Sequence, residues 1–170
     1  MAEALIGQDY MVSAAQGRFV QGSPCEFVSG GVVWMAGKEQ SGWFDAVAVC
    51  DNAPVLILAK NRASTLTQGD SPVVNLPWRK IVAVQALPPV GYFSNRDMGP
   101  DPLVLVDPVA GQCSTDLPDD PPVYVLLRWG GRRVATGAQG IEAVWSIDLQ
   151  KERFVPIDPQ HVECEQLSMD

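Results

Sequence analysis

Short runs of apolar residues, separated by segments that contain Gly or Pro, follow one another along most of the chain. The clearest runs lie at positions 32–35, 55–59, 81–84, 103–106 and 123–127. The sequence contains 15 Gly and 14 Pro, and short apolar runs between such turn residues are typical of β-strands. The pattern predicts an all-β fold, a sandwich or partly open barrel of about eight to ten short strands with at most one or two short helices.

The clearest pair of predicted strands covers residues 43–50 and 55–60. Asp51-Asn52-Ala53-Pro54 lies between them. Asp and Asn side chains bond to their own backbone in turns, and Pro ends strand pairing. The two runs are therefore predicted to form a β-hairpin.

Four of the apolar runs do not alternate with polar residues: 55–59, 81–84, 103–106 and 123–127. A strand of this kind must be covered on both faces. An opposing sheet covers one face, and the other needs a helix, a long loop or another subunit. Because the chain has little helical sequence, the pattern favours packing against a neighbouring molecule.

The chain is predicted to contain one β domain with two flanking segments. Residues 1–17 form an N-terminal arm or short helix, residues 18–155 form the β domain, and residues 156–170 form an acidic C-terminal tail. An irregular segment rich in Pro and Asp, residues 88–122, lies inside the domain. Long segments of this kind are often docking or functional segments.

Composition and charge exclude several classes of ligand. Charged residues are 19% of the chain, below the roughly 25% of average proteins, so part of the surface is uncharged or apolar and suits an interface. A net charge of −8 argues against double-stranded nucleic acid, which binds clustered Lys and Arg.

No run of apolar residues is long enough to span a membrane, and Glu3 stands where a secretory signal carries basic residues. The expected location is cytoplasmic or within a virion, in soluble form.

The residues that usually carry chemistry are few and scattered. Four cysteines, Cys25, Cys50, Cys113 and Cys164, follow no CxxC spacing and are expected to be free thiols, the alternative being two disulfides of unknown pairing. His161, the single histidine, forms with Cys164 a weak zinc motif that lacks two further ligands.

Recognisable catalytic motifs are missing from the sequence. It contains no GxSxG, P-loop or GxGxxG motif, and its one histidine lies near the C-terminus, where no nucleophile is identified for it. The carboxylates of residues 97–120 are interpreted as a solvated acidic loop in preference to a calcium site or an acid–base pair. We therefore predict no catalytic, cofactor-binding or metal-binding residue and no cofactor.

A second hairpin is predicted at Gly130-Gly131, whose composition favours a two-residue type I′ turn. This turn places Trp129 opposite Arg132, as a cation–π pair, and Arg128 opposite Arg133. Directly opposed like charges destabilise a strand pair, so the arginines need carboxylates from this chain or an anionic group of a partner. Arg128, Trp129, Arg132 and Arg133 are the predicted partner-binding residues.

These observations favour a non-enzymatic structural or interaction protein over an enzyme. The predicted role is a β-rich subunit of a larger protein assembly, such as a virus or phage particle, with a protein partner or further copies of itself. Two alternatives remain: a small β-barrel enzyme that uses carboxylates or a metal, and a carbohydrate-binding β-sandwich that uses exposed Trp. The location of the tryptophans discriminates among them.

Overall fold

Strands dominate the structure, which confirms the predicted all-β fold. The computed structural model describes residues 2–10, 25–51, 53–61, 79–88 and 101–167. Helical segments in these ranges are 3-10 turns at Ala2–Leu5, Pro108–Ala110 and Pro159–His161. The strands in these ranges are, in chain order, β1 (Asp9–Tyr10), β2 (Cys25–Met35), β3 (Lys38–Cys50), β4 (Ala53–Asn61), β5 (Arg79–Ala86), β6 (Val104–Val106), β7 (Cys113–Thr115), β8 (Val123–Leu127), β9 (Val134–Thr136), β10 (Ile141–Asp148), β11 (Arg153–Ile157) and β12 (Val162–Glu165).

Backbone contacts divide the chain into two compact units. Unit 1 comprises Met1–Val32 and Ser41–Ala86, and unit 2 comprises Val33–Gln40 and Leu87–Asp170. Unit 1 holds a five-stranded sheet in the order β1-β5-β4-β3-β2. Unit 2 holds a four-stranded sheet, β11-β10-β8-β6, and a three-stranded sheet, β7-β12-β9. The boundaries proposed above for a single domain stay predictions. Residues 1, 11–24, 52, 62–78, 89–100 and 168–170 of those segments lie outside the described residues.

Unit 1 contains the predicted β3–β4 pair. The two strands are antiparallel, and their register runs from Trp43 opposite Lys60 to Cys50 opposite Ala53. Asp51, in the turn, has a positive φ of 50°, a conformation that Asp tolerates better than most residues. The hairpin prediction for residues 43–60 is therefore confirmed.

Unit 2 is built around β8. All five of its residues are buried, and β10 and β6 pair with its two edges. The side chains of Val125 and Leu127 pack with those of Val144, Val162 and other apolar residues in the core of this unit. The Ser146 hydroxyl, buried in the same unit, donates a 2.8 Å hydrogen bond to the main-chain oxygen of Pro122.

The four uninterrupted apolar runs need no second molecule to cover them. The residues of runs 55–59 and 123–127 are all buried within the single chain. The residues of runs 81–84 and 103–106 are buried or half-buried. Packing against a neighbour therefore does not follow from these runs, and support for an interface has to come from the exposed side chains.

The cysteines form two disulfides, so the expectation of free thiols is wrong. Cys25 is bonded to Cys50 in unit 1, and Cys113 is bonded to Cys164 in unit 2. Cys113 and Cys164 are directly opposed residues of the antiparallel strands β7 and β12. Residues far apart in sequence become neighbours through strand register, and the spacing of cysteines along the chain does not reveal this proximity.

Residues 156–170, predicted to be an acidic tail, carry a strand. Val162 and Cys164 of β12 are buried, and Glu163 and Glu165 are exposed. The two glutamates make the segment polar in composition, but they occupy only the solvent side of an alternating strand. This strand lies at the centre of the three-stranded sheet.

Candidate interaction site

A shallow cleft in unit 2 combines an exposed tryptophan with several prolines. Its volume is about 180 Å³, and we call it the Trp34 cleft. Its lining includes Trp34, Pro108, Cys113, Thr115, Asp120 and Pro121. The Trp34 side chain is 57% exposed, and Val109, which follows Pro108 in the chain, is 76% exposed. Covering such side chains with another surface would remove apolar area from water, which is favourable.

Two local turns place these apolar side chains at the surface. Trp34 lies near the end of β2, where Ala36 and Gly37 form the turn into β3 with positive φ angles of 50° and 70°. Two consecutive positive φ angles are characteristic of the type I′ turn of tight hairpins. Trp34 therefore sits close to the tip of a two-stranded ribbon.

Val109 occupies the middle of the 3-10 turn Pro108–Ala110. The Asp107 carboxylate caps this turn by accepting a 3.0 Å hydrogen bond from the main-chain N–H of Ala110. Gly111 ends the turn in the left-handed conformation, with a φ of 63°. Both caps stabilise a turn that presents Val109 to solvent.

The predicted hairpin at Gly130-Gly131 is wrong in its pairing, although the turn itself forms. Both glycines have positive φ, 53° and 74°, and the Arg132 N–H donates a 2.8 Å bond to the Trp129 oxygen. However, β10 and β6 already occupy both edges of β8, so β9 pairs with β12. Arg128 and Arg133 are consequently not opposed across a strand pair.

Arg128 finds its carboxylate inside the same chain. Its Nε lies 2.7 Å from Oε1 of Glu142, and its Nη1 donates a 2.7 Å bond to the main-chain oxygen of Asp101. Arg132 is exposed, and its Nη1 approaches the Trp129 main-chain oxygen at 3.4 Å. Cation–π contacts in the described residues join Lys60 to Trp43 and Arg79 to Phe44, so the expected contact of Arg132 with the Trp129 ring is not formed there.

Substituting Arg128 by Ala should lower the free energy of unfolding by about 1 kcal/mol, because it removes a half-exposed ion pair and a charge-assisted hydrogen bond. Guanidinium denaturation measures the change. Arg132→Ala is the matched control and should change stability by less than about 0.5 kcal/mol. Equal effects for the two variants would show that the Arg128 contacts do not stabilise the fold.

The exposed face of the three-stranded sheet is mostly polar, with Val134 as an exposed apolar residue. Glu163 of β12 is directly opposed to Ser114 of β7 and to Thr136 of β9. Nδ1 of His161 lies 2.8 Å from Oδ1 of Asp116, and these two side chains are 46% and 72% exposed. Two open clefts of about 390 and 360 Å³ share Ser114 and Glu163 in their linings.

His161 therefore contacts an acidic side chain from a distant part of the chain. Its described partner is Asp116, and Cys164 is not a second zinc ligand because its sulfur is bonded to Cys113. Within the described residues, no group of three or more His, Cys, Asp or Glu side chains is arranged to hold a metal ion. A side-chain contact exposed to this degree competes with water and contributes little.

The tryptophans differ in their surroundings. Trp34 is exposed, while Trp43, Trp129 and Trp145 are half-buried and Trp78 lies outside the described residues. Trp129 packs against the core of unit 2. The sequence does not mark Trp34 as a site residue, because Trp34 stands in the run 32–35, which has the composition of a core strand.

Comparison with protein families, with curated proteins and with solved structures identifies no match for this chain. The part of the chain that the structure describes contains no helix that is both long and apolar enough to cross a membrane.

Proposed function

We propose that this chain is a non-enzymatic interaction protein, one β-rich subunit of a larger protein assembly such as a virus or phage particle. The observation that carries the proposal is the Trp34 cleft, where an exposed Trp lies beside prolines and next to the exposed Val109. Trp is among the residues that most often dominate binding energy at protein interfaces. A cleft of about 180 Å³ is smaller than the roughly 300–1,000 Å³ of small-molecule sites, so it suits side chains of a docked protein.

The two disulfides support the assembly context. Disulfides persist in oxidising surroundings, which include virion surfaces, and are rare in a reducing cytoplasm. Of the two predicted locations, Cys25–Cys50 and Cys113–Cys164 favour the virion. Arg132 and Arg133, both exposed, remain predicted partner-binding residues with Arg128 and Trp129.

For the alternative of an enzyme that uses carboxylates or a metal, one described contact to consider is that between His161 and Asp116. A general base needs a positioned acceptor and a site that restricts water. Asp116 is 72% exposed, and the described residues around it form open clefts. This geometry favours a surface hydrogen bond over a catalytic pair.

Truncating Trp34 should disrupt the assembly. We expect the wild-type protein from its native source to be recovered in a stoichiometric complex by native mass spectrometry, and Trp34→Ala to weaken association at least about tenfold, as the loss of a central interface Trp does. Ile6→Ala is the matched control, because Ile6 is 48% exposed and belongs to unit 1. A wild-type chain that sediments as a monomer over a wide concentration range, with no partner recovered, would contradict the proposal.

A further inference from the structure

The β7 strand presents one edge that no described strand covers. In the three-stranded sheet the order is β7-β12-β9, so β7 is an edge strand. Two backbone contacts show which peptide groups of β7 bond to β12. The Asp116 N–H donates to the His161 oxygen at 3.1 Å, and the Glu165 N–H donates to the Gln112 oxygen at 2.8 Å.

These contacts show which peptide groups face outward. In an antiparallel pair, residues with hydrogen bonds to the partner strand alternate with residues whose N–H and C=O point the other way. Since residues 112 and 116 bond toward β12, Ser114 does so as well, and the N–H and C=O groups of Cys113 and Thr115 point away from it. This assignment also places the disulfide Cys113–Cys164 at a non-hydrogen-bonded pair, where opposed Cα atoms come closest.

β7 contributes two residues to the lining of the Trp34 cleft. Cys113 and Thr115, the residues with outward peptide groups, line the cleft, and Ser114 does not. Trp34 and Pro121 lie among its other lining residues. Residues whose peptide groups point outward therefore lie beside apolar side chains, the combination by which sheet edges recognise extended peptides.

We propose that β7 accepts an extended segment of a partner protein as an added strand, and that apolar and basic side chains alternate along this segment. The inference rests on the proposed function and specifies the partner's chemistry. Every second side chain of the added strand would lie on the same face as Cys113 and Thr115 and contact Trp34. The intervening side chains would lie beside Ser114, on the face that carries Asp116 and Glu163.

The charges on the face that carries Ser114 indicate what kind of partner fits. The exposed side chains on that face include the carboxylates of Asp116, Glu163 and Glu165, and Asp120 lines the cleft itself. Opposite charges on neighbouring strands stabilise pairing, and like charges oppose it. A chain with a net charge of −8 repels a second copy of itself, so the added strand comes from a basic segment of a different protein.

The test uses a synthetic probe, the peptide Lys-Val-Lys-Val-Lys-Val-Lys with acetylated and amidated ends. Binding is measured by NMR titration and by amide hydrogen exchange. The peptide should slow exchange of the Cys113 and Thr115 amides at least about tenfold, as expected when a new backbone hydrogen bond protects each. The amides of Ser114 and Asp116 are already bonded to β12 and should change much less. The same peptide with Glu in place of Lys should not bind.

Two variants of Thr115 distinguish the contribution of its backbone N–H to peptide binding from the contribution of its side chain. Thr115→Pro removes the outward N–H without removing a bond to β12, so the protein should fold and lose peptide affinity at least about tenfold. Thr115→Val is the matched control: like Pro it lacks the hydroxyl that bonds the Leu117 N–H, but it keeps the outward N–H and should bind like wild type. Ser114→Pro should instead destabilise the fold, because that N–H faces β12.

The outcomes distinguish this inference from the proposed function. Absence of peptide binding, or full binding by folded Thr115→Pro, overturns strand addition at β7. If Trp34→Ala still disrupts the native complex in that case, the interaction function stands and only the added strand is wrong. Loss of peptide binding in Thr115→Pro but not in Thr115→Val supports strand addition.

Discussion

Removing the disulfide between Cys113 and Cys164 should lower the free energy of unfolding by about 4 kcal/mol. The bridge joins residues separated by 51 positions. In the chain-entropy model, closing a loop of that length lowers the entropy of the unfolded chain and raises its free energy by about this amount. Cys164 is fully buried, so its truncation to Ala also removes packing from the core of unit 2. A loss of this size is a large share of the roughly 5–15 kcal/mol that stabilises a typical protein.

Guanidinium denaturation of the Cys113→Ala/Cys164→Ala variant measures this loss. Cys113→Ala alone is the control, because it breaks the same bridge and should cost nearly as much as the pair of substitutions. Intact mass under non-reducing conditions establishes the state of the four cysteines. If all of them react with iodoacetamide without a reducing agent, the bridge is absent and the prediction is wrong.

Local chemistry predicted the elements of the fold better than it predicted their partners. The β3–β4 hairpin was predictable because the two apolar runs and the turn at Asp51 are adjacent in sequence, and the turn sets the register. The turn at Gly130-Gly131 also forms with the expected positive φ angles. Its strands do not pair, because residues 104–106 and 141–148 occupy both edges of β8. Such competition between distant segments is not visible within a short stretch of sequence.

The disulfides and β12 were missed for a related reason. Cys113 meets Cys164 only because β7 and β12 pair in one register, and nothing local to either residue indicates it. For β12 a signal does exist, since Val162-Glu163-Cys164-Glu165 alternates apolar and charged residues. This short alternation is the usual pattern of a strand with one solvent-exposed face. The acidic composition of the segment nevertheless led to the prediction of a tail.

The candidate site depended on exposure, which apolar composition does not determine. Val33 and Trp34 are consecutive in one apolar run, yet Val33 is 1% exposed and Trp34 is 57% exposed. Successive side chains of a strand point to opposite faces, so Val33 and Trp34 have different surroundings. Which face is open depends on the surrounding elements of unit 2, and the run itself does not specify them.

Replacing Gly30 by Ala should destabilise the protein by about 3 kcal/mol or more. A Cβ at Gly30 would collide with the main-chain oxygen of Asp45 and lie 2.7 Å from the Cα of Ala46, and its φ of 151° is unfavourable for other residues. These atoms are backbone of β3, so relief requires the two strands to move apart. Gly31→Ala is a control one residue away, where an added Cβ meets nothing within 4 Å, and its stability should stay within about 0.5 kcal/mol of wild type. Denaturation midpoints that agree for the two variants would show that β2 does not approach β3 this closely at Gly30.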